Sequence, residues 1–274
     1  MCSVQLRQST FKCIGEVDME SNSCRIINNF KKNSIVFSLG EVAESSRFST
    51  HFGGAPDVPL DFNWPQYTDD VINETYAINF LLQLNCEELK QYDMDNVLPE
   101  KGLLSFFYDV EGQPHEGCSD EKGCIRIFYF ENTEDLVLAE LPEDINENFC
   151  LPCYTLDIAS EPSYPSWEDY AAICDKKSER KDYDLILDGL KTVEQENIAK
   201  LLGWADVLQC SMLADLKEET NFCLDEWGLL LQVNSIRHDK FELLFGDCGS
   251  IFLYINKKDL SEKKFDNIRL VLQC

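Results

Sequence analysis

The sequence predicts a mainly β fold with flanking helices (α+β), assembled from two related halves about an approximate internal two-fold axis. Three observations carry that expectation. Short apolar runs, many β-branched or aromatic and bounded by Gly, Pro, Asn or Asp, recur along the chain and read as strands. Gly54, Asp57, Val58, Gln83 and Asn85 each recur 149 positions later, at Gly203, Asp206, Val207, Gln232 and Asn234, and Leu81–Asn85 matches Leu230–Asn234 with one conservative change. A hydrophobic content of 44% over 274 residues suffices for one sizeable core, so residues 1–274 are expected to form a single domain. A strand–helix–strand unit cannot bury its sheet face alone; packing against its copy would cover both and leave a seam between them.

Residues 1–34 mix Ser, Asn and Lys with short apolar pieces and form a peripheral segment, a strand or two or a helix. The first half spans 35–130. It opens with a strand over Ser34–Leu39, closed by Gly40. Three prolines and the Gly53-Gly54 pair then fix a loop over 52–65, which excludes regular helix or strand there. A polar turn over 69–75 leads to a buried strand, Tyr76–Leu84, whose Gln83 needs hydrogen-bond partners inside the protein. Asn85 is placed to cap a helix over 86–92. Strands over Leu103–Tyr108 and Ile125–Phe130 follow, each expected to pair with the strand before it. The connection, 131–190, is acidic and proline-broken as far as residue 148, then offers an edge strand over Tyr154–Ile158. A helix starts with Ser166 as cap and Asp169 at the capping-box position, and helical character continues to about Leu202. The second half, 191–274, contains strands over 222–233, 241–245, 251–255 and 268–272, with a helical turn at Lys258-Asp259-Leu260.

Composition excludes several functions. Lys plus Arg number 24 against 50 Asp plus Glu, a formal net charge of -26, so the surface repels phosphate backbones and anionic membranes; nucleic acid and membrane are not expected partners. No apolar run reaches the length of a membrane helix and no secretory leader is visible, so a cytoplasmic location with mostly reduced thiols is expected. The usual signatures of hydrolases, nucleotide-binding proteins and metalloproteases are missing, and no catalytic residue or cofactor is assigned. His115, Cys118 and Cys124 with Cys150 and Cys153 are weak candidates for zinc, because Cys-x-x-Cys is a common half-site; their spacing matches no standard finger.

The pattern Phe52-Gly53-Gly54-x-Pro56-x-x-Pro59-x-x-Phe62-x-Trp64-Pro65, followed by Phe80–Asn85 and by Leu98-Pro99-x-Lys101-Gly102-x-Leu104-x-Phe106-Phe107, resembles the YwqG-like family. Leu201-Leu202-Gly203-Trp204 and Gly246-Asp247-x-Gly249 come in the family's order, and the resemblance runs from about residue 35 to the end. It implies a roll-like, mainly β fold and carries no established activity, so no catalytic residue is transferred.

Two functions fit these residues. One is a non-enzymatic protein-binding or regulatory protein whose acidic surface meets a basic partner, as a toxin-neutralising protein would. The alternative is a small-molecule binder or enzyme using the groove between the halves, with His51, Gly53, Gly54, Asp57, Trp64 and Gln83 on one side and Trp204, Asp206, Gln232 and Asp247 on the other.

Overall fold

A computed structural model describes residues 22–69, 73–113, 123–174, 179–190, 197–213 and 226–274. In chain order, the elements begin with helix α1 (Asn22–Asn28) and strands β1 (Lys32–Val42), β2 (His51–Phe52), β3 (Asp57–Pro59), β4 (Gln66–Asp69), β5 (Glu74–Ala77) and β6 (Asn79–Asn85). Helix α2 (Cys86–Leu89), strands β7 (Leu103–Tyr108), β8 (Ile125–Phe130), β9 (Leu136–Leu138) and β10 (Tyr154–Ser163), and helices α3 (Trp167–Ile173) and α4 (Arg180–Leu190) come next. The chain closes with β11 (Ala199–Leu201), β12 (Trp227–Asn234), β13 (Ile236–His238), β14 (Phe241–Leu243), β15 (Ser250–Asn256), α5 (Lys257–Ser261) and β16 (Ile268–Gln273).

Ten strands form one antiparallel sheet in the order β16-β15-β12-β11-β1-β10-β2-β6-β7-β8. Its outer strands approach each other: Lys263 beside β16 pairs with Glu131 beside β8 at 2.6 Å, and the rings of Tyr129 and Phe265 lie 5.8 Å apart. The sheet is therefore large and nearly closed, and the apolar side chains of β6, β7, β12 and β15 fill it. The antiparallel pairings β6–β7 and β7–β8 follow the expected order, and Asn85 caps α2 by accepting from the backbone N–H groups of Glu87 and Glu88. Asn256 caps α5 in the same way.

Four expectations are corrected. Tyr154–Ser163 is no edge strand: β10 lies between β1 and β2 at the middle of the sheet, with Val36 opposite Ala159. Its polar residues, Thr155, Asp157 and Glu161, stand on partly exposed positions, which makes a central strand read as a peripheral one. The helical pattern ends before Leu202, because Ala199–Leu201 is a strand paired on both sides, with β1 and β12. The glycine-proline loop contains two short strands, β2 and β3, the second paired with β9. The polar turn is flanked by a hairpin, β4 with β5, so the buried strand starts at Asn79 rather than Tyr76.

Helices α1, α3 and α4 pack together on Cys24, Ile27, Tyr170, Tyr183 and Ile186, with the Tyr170 and Tyr183 rings stacked at 4.6 Å. Among the described residues, no helix is long and apolar enough to cross a membrane.

Candidate functional site

The glycine-proline segment turns a corner that Gln83 holds from below. Gly53 and Gly54 both take left-handed backbone angles (φ 62° and 72°), which lets the chain reverse directly against residues 151–152. Gln83, fully buried in β6, accepts from the Asp57 N–H at 2.8 Å and donates to Asp57 Oδ2 and the Ser49 carbonyl, each at 3.1 Å. Asp57 also accepts from Arg47 Nε at 2.8 Å and from the Phe48 N–H at 2.7 Å. A buried carboxylate with three donors is a satisfied structural group, since each oxygen replaces its lost water.

The same bonds recur 149 positions later. Gln232 accepts from the Asp206 N–H at 2.9 Å and donates to Asp206 Oδ2 at 3.2 Å. Asn234 donates to the Asn197 carbonyl at 2.8 Å, as Asn85 does to the Phe48 carbonyl at 2.7 Å. The Leu202 N–H donates to Leu230 as the Gly53 N–H donates to Leu81, and Leu202 and Gly203 repeat the positive φ angles (62° and 79°). One difference matters for energetics. In the first corner the carboxylate is buried and its Arg47 partner half exposed, whereas Asp206 is 57% exposed and its partner Lys200 is buried.

The remaining candidates scatter. His51 is buried, its two ring nitrogens facing the carbonyls of Ser49 (3.0 Å) and Ala55 (3.2 Å). Trp64 donates to the Ile78 carbonyl and packs edge-on against Phe107, serving the core. Asp247 stands exposed in the turn after β14, apart from both corners. Thus His51, Gly53, Gly54, Asp57 and Gln83 come together, Asp206 and Gln232 come together with Gly203 at the second corner, and the two groups occupy different stretches of the sheet. His115 and Cys118 lie outside the described residues. Cys124 and Cys153 are buried, Cys150 partly so, and among the described residues no group of three or more His, Cys, Asp or Glu side chains is placed to hold a metal.

Sequence reasoning missed a second cluster beside Trp204. A cavity of about 20 Å³ is lined by Lys32, Asp169, Trp204, Leu213, Trp227 and Tyr254, among others. The Lys32 ammonium sits 3.7 Å over the Trp204 ring, and the indole N–H of Trp204 donates to the Phe30 carbonyl at 2.7 Å, fixing the ring under the start of β1. Asp169 is 1% exposed; its Oδ1 accepts from Ser211 Oγ at 2.8 Å, and its Oδ2 has no hydrogen-bond partner among the described residues. The capping position therefore hides a second role, because Ser166 caps α3 while the Asp169 side chain turns inward. Burial pushes the Asp169 carboxyl up to about 6, and burial together with Lys257 pushes Lys32 down to about 8. No local motif announces this pair: the two residues belong to β1 and α3 and meet only through the fold.

The Asp169 shift fixes a pH dependence. Its folded value lies above the unfolded one, so the folded state holds the proton more tightly, and stability is lost as pH rises through about 6. At neutral pH the cost is about 3 kcal/mol at most. Asp169→Asn is accordingly expected to stabilise the protein by about 1–3 kcal/mol at pH 7.5 and to have little effect at pH 4. Urea unfolding at the two pH values checks it, and an equal change at both would disprove the assignment.

A third feature is the lobe formed by β3 and β9. Residues 57–66 and 131–148 contain no Lys or Arg. Exposed Asp61, Glu134, Asp135, Glu140, Glu143 and Asp144 stand on it without an ion pair among the described residues, beside Leu60 (87% exposed), Leu138 (42%) and Leu141 (44%). Large apolar side chains beside unpaired carboxylates form a surface that water solvates poorly in part and that cations would neutralise.

Comparison with known families matches residues 50–274 to the model of a domain of unknown function, DUF1963. No curated protein matches the chain.

Proposed function

The chain belongs to the DUF1963 family, whose function is unknown, and from that starting point we propose a non-enzymatic protein-binding or regulatory role with a basic protein as partner. The observation that carries this reading is the β3–β9 lobe, where exposed carboxylates without an ion pair among the described residues accompany exposed leucines; Arg47 is bonded to the same two strands, at Asp57 and at the Leu136 carbonyl. Such a surface suits a partner presenting Lys or Arg around an apolar centre, as a toxin neutralised by an acidic protein would. The groove alternative is less favoured, because His51, Asp57, Gln83 and Gln232 are buried and each is engaged within its own corner: Gln83 with Asp57, Gln232 with Asp206, and His51 with the Ser49 and Ala55 carbonyls.

Within DUF1963 we read the chain as similar to YwqG-like proteins, on its resemblance over 52–65, and as one domain of two halves related by an internal two-fold. The repeated corner bonds and the sheet order support that reading: on either side of the β1–β10 pair the strands run β11-β12-β15-β16 and β2-β6-β7-β8. The 13 cysteines, expected mostly as reduced thiols, support the cytoplasm as the proposed location.

The test pairs the wild-type chain with a variant carrying Asp135→Asn, Glu140→Gln, Glu143→Gln and Asp144→Asn as baits in the same lysate. The wild type should retain a stoichiometric basic protein that the variant loses. Retention should fall on the order of tenfold between low and moderately high salt, since exposed charges are screened within roughly 10 Å at 0.1 M. Equal retention by both baits, or none at low salt, refutes the proposal.

A further inference from the structure

We propose that the Lys32 cavity is a carbonyl-binding site: Lys32 condenses with a small aldehyde or ketone to form an imine, and Asp169 supplies the proton on which the carbonyl oxygen leaves as water. This inference is independent of the acidic lobe and goes beyond the protein-binding role.

The geometry supplies each part. Lys32 holds its amine over the Trp204 ring, a surface that attracts a cation without accepting its protons as a carboxylate would. Asp169 lines the same cavity with a buried oxygen that has no hydrogen-bond partner among the described residues, so a ligand oxygen there would gain a bond that those residues leave unmade. The cavity's volume of about 20 Å³ takes little more than the carbonyl oxygen, so the rest of a small aldehyde stays outside it; at Gly228, in the lining, an added methyl group meets no atom of the described residues within 4 Å. Lys32 also lines a larger surface cleft of about 360 Å³ with Asn33, Asp95 and Ser160.

The chemistry balances without a further reagent. The neutral amine of Lys32 attacks the carbonyl carbon, a C–N bond forms, and the C=O electron pair moves to oxygen. Asp169 protonates that oxygen and takes one proton back from the attacking nitrogen, giving a neutral carbinolamine. It then gives that proton to the hydroxyl, water departs as the nitrogen lone pair closes the C=N bond, and the amine's second proton stays on the iminium nitrogen or returns to the carboxylate. Burial and Lys257 favour the neutral amine, while Asp169 and Asp95 oppose them. Near neutral pH, an amine pushed down to about 8 and a carboxyl pushed up to about 6 are each partly in the form the step needs.

The probe is glycolaldehyde with cyanoborohydride, applied to the full chain and read by peptide mass mapping. Lys32 should be trapped at least about tenfold faster at pH 7 than exposed lysines such as Lys258, with a rate that is level between about pH 6 and about pH 8 and falls on either side. Asp169→Asn provides the second measurement. It should slow imine trapping at Lys32 by roughly tenfold or more, as loss of a general acid does. It should not slow acylation of Lys32 by acetic anhydride, a reaction that needs only the neutral amine. Uniform trapping across the lysines overturns the proposal, as does an equal slowing of both reactions in the variant.

Discussion

Asp57→Ala is expected to lower stability by about 3–5 kcal/mol, and Asp206→Ala, at the matching position of the second corner, by about 1–2 kcal/mol. Removing the buried Asp57 carboxylate takes the acceptor from three donors, Arg47 Nε, the Phe48 N–H and one amide proton of Gln83; half-exposed Arg47 can turn to water. Gln83 has no water to turn to, because it is fully buried. Asp206 is more than half exposed, so solvent already screens its bond to Lys200 and replaces part of what the truncation removes. Urea unfolding of the two variants at pH 7 measures the difference. Equal losses would mean that burial of the carboxylate does not decide the matter.

Gly53→Ala should cost about 2–5 kcal/mol. A left-handed angle imposes about 1–2 kcal/mol on any residue with a Cβ, and crowding a packed site adds about 1–3 kcal/mol. The crowding is severe at this position: the new methyl would sit 2.3 Å from the Pro152 carbonyl oxygen and 2.8 Å from that of Leu151, both backbone atoms that cannot swing aside. Gly228→Ala is the control, since nothing among the described residues lies near its added methyl; it should be neutral or slightly stabilising. Thermal unfolding of both variants checks the pair, and a Gly53→Ala protein as stable as Gly228→Ala would show that the corner backbone moves freely.

Much of the sheet was legible in the residues. β6, β7, β8, β15 and β16 are compact apolar runs between turn residues, and Asn85 and Ser166 stand where caps belong. The amides at 83 and 232 were legible as groups in need of partners, and each found them in the aspartate 26 positions before it. Harder to read were elements whose character comes from their neighbours. β10 is central, yet its outward positions are polar because helices and loops cover that part of the sheet only partly. β11 is three residues long and lies at the end of a helical pattern, so only its two flanking strands make it a strand. The Lys32–Asp169 cavity was illegible for a different reason. Its lining comes from separate stretches of the chain, and Asp169 near the start of a helix has a complete local explanation that conceals the buried side chain.

The position of β1 also orders the protein's synthesis. It is the first of the ten strands to leave the ribosome, yet its sheet neighbours are β10 and β11. Bonds from Glu41 and Ser34 reach partners 114 and 127 residues onward. Until those residues emerge, Ile35, Val36 and Phe37 form an apolar strand with no ladder to join, and pairing at such separation is slow because the intervening loop must close first. A nascent chain halted anywhere before residue 154 thus carries an unpartnered β-forming segment at its front, the species most prone to self-association. The finished sheet removes that hazard by placing its earliest strand at its centre.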